Sequence, residues 1–293
     1  MAKFAFGGST FFVLVVFLLL IGGKADPTSK ISWLVLIGTF PIFGTLFYAW
    51  TQTELGHREV KKRVISVIAE SRKSISQNAD YINDLTKRDP ETSSLVTYMQ
   101  RDDGYCAYEN TKVTYFPLGE DMWDEMLTQL EKAEHFIFSE YFIVQEGLMW
   151  GKILEILARK VQEGVDVRVM YDGMCELSLL PADYPEHMIK KLNIPCRMFL
   201  PLKPFVSTSF NYRDHRKILV IDGKVSFNGG VNLADEYINH TVHYGHWKDV
   251  AVMLEGEAVK SFTLMFIQMW HACGREKIEA GKNEVWTAEA HKF

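Results

Sequence analysis

Apolar and polar positions divide the chain into three stretches of different rhythm. Residues 4–22 form an almost uninterrupted apolar run without a charge, and residues 31–50 form a second, uncharged run that contains Pro41. At about 1.5 Å rise per residue, runs of roughly 20 residues cover about 30 Å, the thickness of a bilayer's hydrocarbon. Both runs predict transmembrane helices. A cleaved signal peptide is the alternative for the first, with Lys3 as its basic start and Gly23-Lys24-Ala25 as a poor cleavage site; the second has no such alternative. Residues 24–30 join the runs and are short enough for a helical hairpin with both ends on one side of a membrane. Trp33, Tyr48 and Trp50 lie near the ends of the second run, where aromatic rings prefer the interface.

The rhythm changes after residue 56. Val60, Val64, Val67, Ser71 and Ile75 recur at helical spacing among Arg58, Lys61, Lys62, Arg63, Arg72 and Lys73. This basic amphipathic stretch reads either as a linker helix with a solvated face or as a helix lying on an anionic bilayer. The positive-inside rule puts it in the cytoplasm. Lys87-Arg88-Asp89-Pro90 breaks the pattern. The chain therefore divides into an anchor over 1–56, a linker over 57–105 and a body over 106–293.

In the body, strand and helix patterns alternate. Strands are expected at 112–116, 135–144, 165–171, 216–221, 225–228 and near 247–254, and helices at 122–134, 148–163 and 257–273. Gly164 is a natural stop for the second helix. A polar, proline-containing stretch fills 172–211. This order predicts a layered α/β domain in which βαβ units make parallel strands dominate, while a hairpin at Asp222-Gly223 makes the sheet mixed.

Composition narrows the class. At 47% hydrophobic and 24% charged over 293 residues, the chain is neither disordered nor fibrous. Four scattered cysteines without CxxC spacing exclude a zinc ribbon or disulfide scaffold. Residues 1–56 carry +1 and residues 57–73 carry +4, so a total of −5 leaves −10 on residues 74–293. A body that acidic argues against nucleic acid as a partner.

The chemistry concentrates in NYRDHRKILVIDGKVSFNGGVN, residues 211–232. His215 and Lys217 are two apart, so on a strand they share a face. A cation beside an imidazole keeps it neutral and nucleophilic, and the pair suits a phosphate, with Lys217 binding oxygens while His215 attacks phosphorus. Asp222 has the opposite parity to His215 and sits in a hairpin dipeptide, so a turn role competes with a catalytic one. Gly230, with Gly229 before it, permits close approach of backbone to a ligand or a neighbouring strand. Asn232 and Ser226 are candidate donors to phosphate oxygens or turn caps. Glu140, on a buried-looking strand, faces either the site or a structural partner. The other histidines form no metal-ligand set, and no metal or cofactor is expected.

The spacing His-x-Lys-x4-Asp-x6-Gly-Gly-x-Asn resembles the HKD motif of the phospholipase D superfamily. The likeness extends through Ser139-Glu140-Tyr141-Phe142-Ile143, the strand ending near Gly173, and His246-Trp247-Lys248-Asp249. Nearly the whole chain is similar to the N-terminal half of bacterial cardiolipin synthases. The resemblance implies a phospholipase D-like α/β/α layered domain with a mixed sheet, preceded by two transmembrane helices, in the bacterial cell membrane with its catalytic domain in the cytoplasm. It implies a metal-free phosphatidyltransferase that makes cardiolipin from two phosphatidylglycerol molecules through a phosphohistidine, releasing glycerol. His215 is then the nucleophile, Lys217 binds phosphate, Asp222 supports the site and Asn232 is a further phosphate contact. A phosphatidylserine synthase-like transferase or a hydrolase shares the same intermediate.

The family's enzymes carry two HKD motifs, and the second histidine acts as general acid. No second copy is present: His246-x-Lys248 has Met253 where the aspartate would fall. The missing half is expected either in a longer chain, the preferred reading, or from a homodimer; an inactive membrane-anchored half-enzyme is the third possibility.

Overall fold

A computed structural model of the protein describes residues 2–23, 26–52, 58–71, 77–181, 183–201 and 213–274. Lys24, Arg72, Lys73, Ile75 and the tail to Phe293, all used in the sequence reading, lie outside the described residues. The described residues up to Arg58 and those from Glu59 onward form two compact units.

The first unit is helical: α1 (Ala2–Gly22), α2 (Pro27–Thr39) and α3 (Pro41–Gln52). Asp26 caps α2, its Oδ1 accepting from the Thr28 and Ser29 amides at 2.8 and 3.3 Å, and Pro27 opens the helix, where its missing N–H costs nothing. The second apolar run is not the single spanning helix expected. Pro41 forces Phe40 out of the helical region, to φ −128° and ψ 76°, and the chain folds back there. Trp33 of α2 meets Phe47 and Tyr48 of α3 with ring centroids 5.6 and 5.2 Å apart. Gly44 permits the approach, since a Cβ there would lie 2.9 Å from the Ile37 Cα. The resulting helices of 13 and 12 residues reach about 20 Å each, short of the roughly 30 Å of a bilayer core. Among the described residues no helix is long and apolar enough to cross a membrane.

The second unit opens with α4 (Arg58–Ser71), α5 (Ala79–Arg88) and α6 (Pro90–Asp103), residues read from sequence as a linker. Val67 is fully buried, with Val60 and Val64 packed beside it, so the apolar face of α4 is occupied by protein. Asp89-Pro90 both ends α5 and starts α6: Asp89 Oδ1 accepts from the Thr92 amide at 3.0 Å.

The rest is β1 (Thr111–Phe116), α7 (Gly119–Glu131), β2 (Phe136–Tyr141), α8 (Leu148–Gln162), β3 (Asp166–Asp172), α9 (Tyr184–Leu192), β4 (Cys196–Phe199), β5 (Lys217–Ile221), β6 (Val225–Gly229), β7 (Ala251–Gly256) and α10 (Val259–Cys273). The strands form one sheet in the order β1-β7-β6-β5-β2-β3-β4. Only β2–β3 and β3–β4 are parallel; the other four pairings are antiparallel. The sheet is mixed as expected, but parallel strands do not dominate it, because after β4 the chain returns to the middle of the sheet and continues by hairpin. The stretch 172–211, read only as polar and proline-containing, contains α9 and β4: Pro185 lies at the start of α9 rather than breaking it, and Asn193 closes it in a left-handed conformation (φ 55°).

Strand alternation sorts the core into two layers. Ile137, Tyr141, Val169, Tyr171, Leu219, Ile221 and Phe227 face the cluster that includes Met126, Trp150 and Met188 from α7, α8 and α9. Phe136, Phe138, Met170, Ile218 and Val220 face Val67 of α4 and Phe266 and Trp270 of α10. Burial on both faces explains why β2 and β5 read as nearly continuous apolar runs.

The β5–β6 hairpin turns at Asp222 and Gly223, both with positive φ (52° and 62°), as the Asp-Gly pair predicts for a type I′ turn. The Asp222 carboxylate also accepts from the amides of Glu134, His135 and Phe136, each at 2.8 Å. It thereby ties the turn to the start of β2. Asp222→Ala removes three acceptor contacts and puts alanine in a left-handed conformation, so chemical denaturation should show a loss of about 2–4 kcal/mol. Asp222→Asn should lose less. An unfolding curve for Asp222→Ala that matches wild type contradicts this role.

Candidate active site

The site is built at the entry to β5. Asp172, buried at the end of β3, accepts from the Asp214 amide at 2.8 Å through Oδ2, and from Arg213 Nη1 at 3.1 Å and the Met174 amide at 2.8 Å through Oδ1. Burial raises the Asp172 carboxyl above its ordinary value despite these donors and the Arg213 charge. Arg213 also donates to the Leu200 carbonyl at 3.2 Å. The backbone is thus fixed one residue before His215.

From there the chain alternates. Lys217, the first residue of β5, is 4% exposed; it lies opposite Tyr141. Its Nζ donates to the His215 carbonyl at 2.7 Å and stands 5.1 Å from the centre of the Phe142 ring. The His215 ring lies 4.7 Å from the same Phe142 ring, at 51°, and is exposed. Burial lowers the Lys217 ammonium below its ordinary value, opposed by the charges of Asp214 and Asp249. An exposed imidazole and a sheltered cation therefore flank one aromatic ring.

The adjoining wall comes from the Gly-Gly pair. A Cβ on Gly229 would lie 2.4 Å from the Val250 carbonyl oxygen, and one on Gly230 would lie 2.0 Å from Asp249 Oδ1. Gly230 thus makes room for the Asp249 carboxylate, which accepts from the Val250 amide at 2.8 Å and acts electrostatically on Lys217. Asn232 is 2% exposed. Its Oδ1 accepts from the Ile143 amide at 3.0 Å and its Nδ2 donates to the Tyr237 hydroxyl at 2.8 Å, and the Tyr237 ring packs 4.9 Å from Trp247. Asn232 braces the loop after β2 against the loop after β6.

Three candidate residues are not brought to this place. Asp222 lies at the other end of β5, five residues or roughly 17 Å away at strand rise, with its carboxylate committed to the start of β2; the turn role prevails over the catalytic one. Ser226 is fully buried, paired across from Val220 on the α10 side of the sheet. Glu140 is 1% exposed and pairs across from Ile218, so it too faces the α10 side, where it forms an ion pair with Arg216 at 2.7 Å. Sequence reasoning gave no role to Phe142, Asp214, Arg216 or Asp249, and gave Asp172 only a turn or loop role at the end of its strand. Phe142 and Asp249 lay within the quoted segments 139–143 and 246–249. Asp214 and Arg216 had the signal of parity, being the residues that alternate with His215 and Lys217. Among the described residues no group of three or more His, Cys, Asp or Glu is placed to hold a metal ion.

Residues 126–270 match the family model described as cardiolipin synthase, phospholipase D-like domain. An uncharacterised protein of Streptococcus mutans is 54% identical over 263 residues, covering 88% of this chain and 56% of that protein. A cardiolipin synthase of Geobacillus kaustophilus is 32% identical over 259 residues, covering 86% of this chain and 50% of that enzyme. The chain therefore spans about half the length of these curated relatives. Among solved structures, Nuc from Salmonella typhimurium, a phospholipase D family member, aligns with a TM-score of 0.40 at 19% identity over 57% of this chain and 97% of that one. With its His-x-Lys pair at the mouth of a mixed sheet inside the matched region, the chain belongs to the phospholipase D superfamily as a cardiolipin synthase-like protein.

Proposed function

We propose that this chain provides one half of a membrane-associated phosphatidyltransferase that makes cardiolipin from two phosphatidylglycerol molecules. The observation that carries the reading is the exposed His215 ring standing beside the sheltered Lys217 ammonium across Phe142. A neutral imidazole nitrogen of His215 attacks the phosphorus of one phosphatidylglycerol, and the bond from phosphorus to the headgroup glycerol oxygen breaks. Lys217 sits against the phosphoryl oxygens, where charge grows in the transition state. The departing glycerol oxygen takes a proton from a general acid, and the headgroup hydroxyl of a second phosphatidylglycerol then attacks phosphorus, breaking the P–N bond and losing its proton to the same group. That group comes from a second HKD half, either in a longer chain or in a second copy of this one. The two apolar runs in the first fifty residues keep the site near its lipid substrates in the bacterial cell membrane. Nearness of both lipids in one bilayer favours a lipid hydroxyl over water as acceptor.

Phosphatidylglycerol vesicles containing the full chain test this by following cardiolipin and glycerol. Cardiolipin made by wild type and not by His215→Ala means that copies of this chain complete the site. Turnover that appears only after a second HKD half is added makes the chain one part of a larger enzyme. Phosphatidic acid in place of cardiolipin makes the activity hydrolysis, and no turnover under either condition overturns the reading.

Lys217 gives a second expectation. Its charged form binds phosphate, and burial lowers its proton affinity. On raising the pH, kcat/KM should therefore fall at a pH below the ordinary lysine value of about 10.4. Lys217→Met should lower kcat/KM by about 100-fold or more and remove that alkaline limb. An unchanged limb in Lys217→Met contradicts the assignment.

A further inference from the structure

On the far face of the sheet from Lys217 lies a buried charged cluster that the proposed chemistry does not use. Arg216 Nε meets Asp214 Oδ1 at 2.8 Å, and Arg216 Nη2 meets Glu140 Oε1 at 2.7 Å. The side chains of Glu140, Asp214 and Arg216 are 1%, 7% and 31% exposed. Asp214 and Arg216 bracket His215 in sequence, while Glu140 belongs to the neighbouring strand β2. The guanidinium therefore links the backbone on either side of His215 to a strand already fixed in the core.

We propose that Arg216, clamped between Asp214 and Glu140, is a positioning residue that sets the rotation of the 214–217 backbone and so aims the His215 ring and the Lys217 ammonium. The proposal rests on His215 being the reacting group. It comes from where the side chains lie: Asp214 and Arg216 gather at Glu140 on the α10 side of the sheet, while His215 and Lys217 both lie against Phe142. The Lys217 contact to the His215 carbonyl then couples both functional groups to the same stretch of backbone.

The charges in the cluster support a clamp of defined polarity. Two carboxylates around one guanidinium would leave an uncompensated negative charge in the interior, which is costly. Burial first, and the Asp214 charge second, hold the Glu140 carboxyl well above the ordinary range. Asp214 is pushed up by burial, but its hydrogen bond with Glu140 and the Arg216 charge outweigh this and leave it below the ordinary range. The two carboxyls are thus driven apart, Glu140 upward and Asp214 downward, so that Asp214 is the one better suited to carry the charge facing Arg216. Cys273 at the end of α10 and Tyr105 before β1 are neighbouring titratable groups, and Arg197 on β4 is a neighbouring cation.

The test uses the full chain in detergent with bis(4-nitrophenyl) phosphate, whose leaving group needs no general acid. Nitrophenolate release is read by rate and by KM. Arg216→Gln and Asp214→Asn should each slow release roughly 100-fold, the cost of a misaimed reacting group, with KM changed by less than about threefold. Arg216→Lys should recover part of the rate, because it restores the charge without the fork that holds both carboxyls. Glu140→Gln should lose far less than Asp214→Asn, because Asp214 both adjoins His215 in the chain and holds Arg216 Nε at 2.8 Å. A folded Arg216→Gln that reacts within about threefold of wild type overturns the proposal, as does Glu140→Gln proving as damaging as Asp214→Asn. If Arg216→Gln does not fold, the His215 ring is read instead by nitrogen-15 NMR in Arg216→Lys. Its ring signals should move while those of the other histidines stay in place, and unmoved His215 signals overturn the proposal. Wild type that releases no nitrophenolate, alone or after a second HKD half is added, sinks the reading of His215 as nucleophile, and the NMR comparison still decides the positioning claim.

Discussion

The buried Asp172 carboxylate, accepting from the Asp214 amide and from Arg213, is the contact on which the rest of the site depends. It fixes where the chain enters β5, and the contacts of the next residues then sort their side chains to two sides. With Asp214 turned toward the α10 side, His215 points away from it, Arg216 returns to it and Lys217 leaves it again. A shift of one residue would bury the imidazole and the ammonium beneath α10 and expose the Asp214–Arg216 pair. Register at this strand entry therefore decides whether the sheet has a reactive edge.

The parts of the HKD pattern do different jobs, though they read as one motif. His215 and Lys217 supply the chemical groups of the proposed reaction. Asp222 holds the far end of β5 to the start of β2 through three amides. Gly230 gives way to the Asp249 carboxylate, and Asn232 braces two loops against each other. Two of the six fixed positions thus carry the proposed reaction, Gly229, Gly230 and Asn232 shape the edge at which it takes place, and Asp222 secures the opposite end of the strand. Asp249 enters the site through the gap left by Gly230, which explains why a residue far along the chain contributes charge beside Lys217.

Much of this was legible in the sequence because periodicity and turn chemistry are local. The hairpin at Asp222-Gly223, the stop at Gly164 and the shared face of His215 and Lys217 all arise from neighbours in the chain. Four features were not legible, each for a physical reason that local pattern does not carry. Pro41 splits an apolar run that hydropathy alone reads as continuous. α9 and β4 hide in a polar, proline-bearing stretch because Pro185 starts a helix there instead of ending one. The balance of parallel and antiparallel pairs depends on the chain's return to the middle of the sheet, which no local pattern records. The side of the sheet to which Glu140 points is set by its pairing with Ile218, and it moves that residue from a candidate ligand contact to a partner of Arg216.

The central claim is that His215 is the nucleophile of this sheet edge. A phosphorus–nitrogen bond on histidine is labile in acid and survives mild alkali, so the direct measurement is a rapid denaturing quench at mildly alkaline pH. The full chain would be quenched during turnover on phosphatidylglycerol vesicles and its peptides mapped by mass. The account predicts a phosphatidyl mass on the peptide that contains His215 and none in His215→Ala. An adduct on another residue, or cardiolipin accumulating with no adduct at any time, would contradict it.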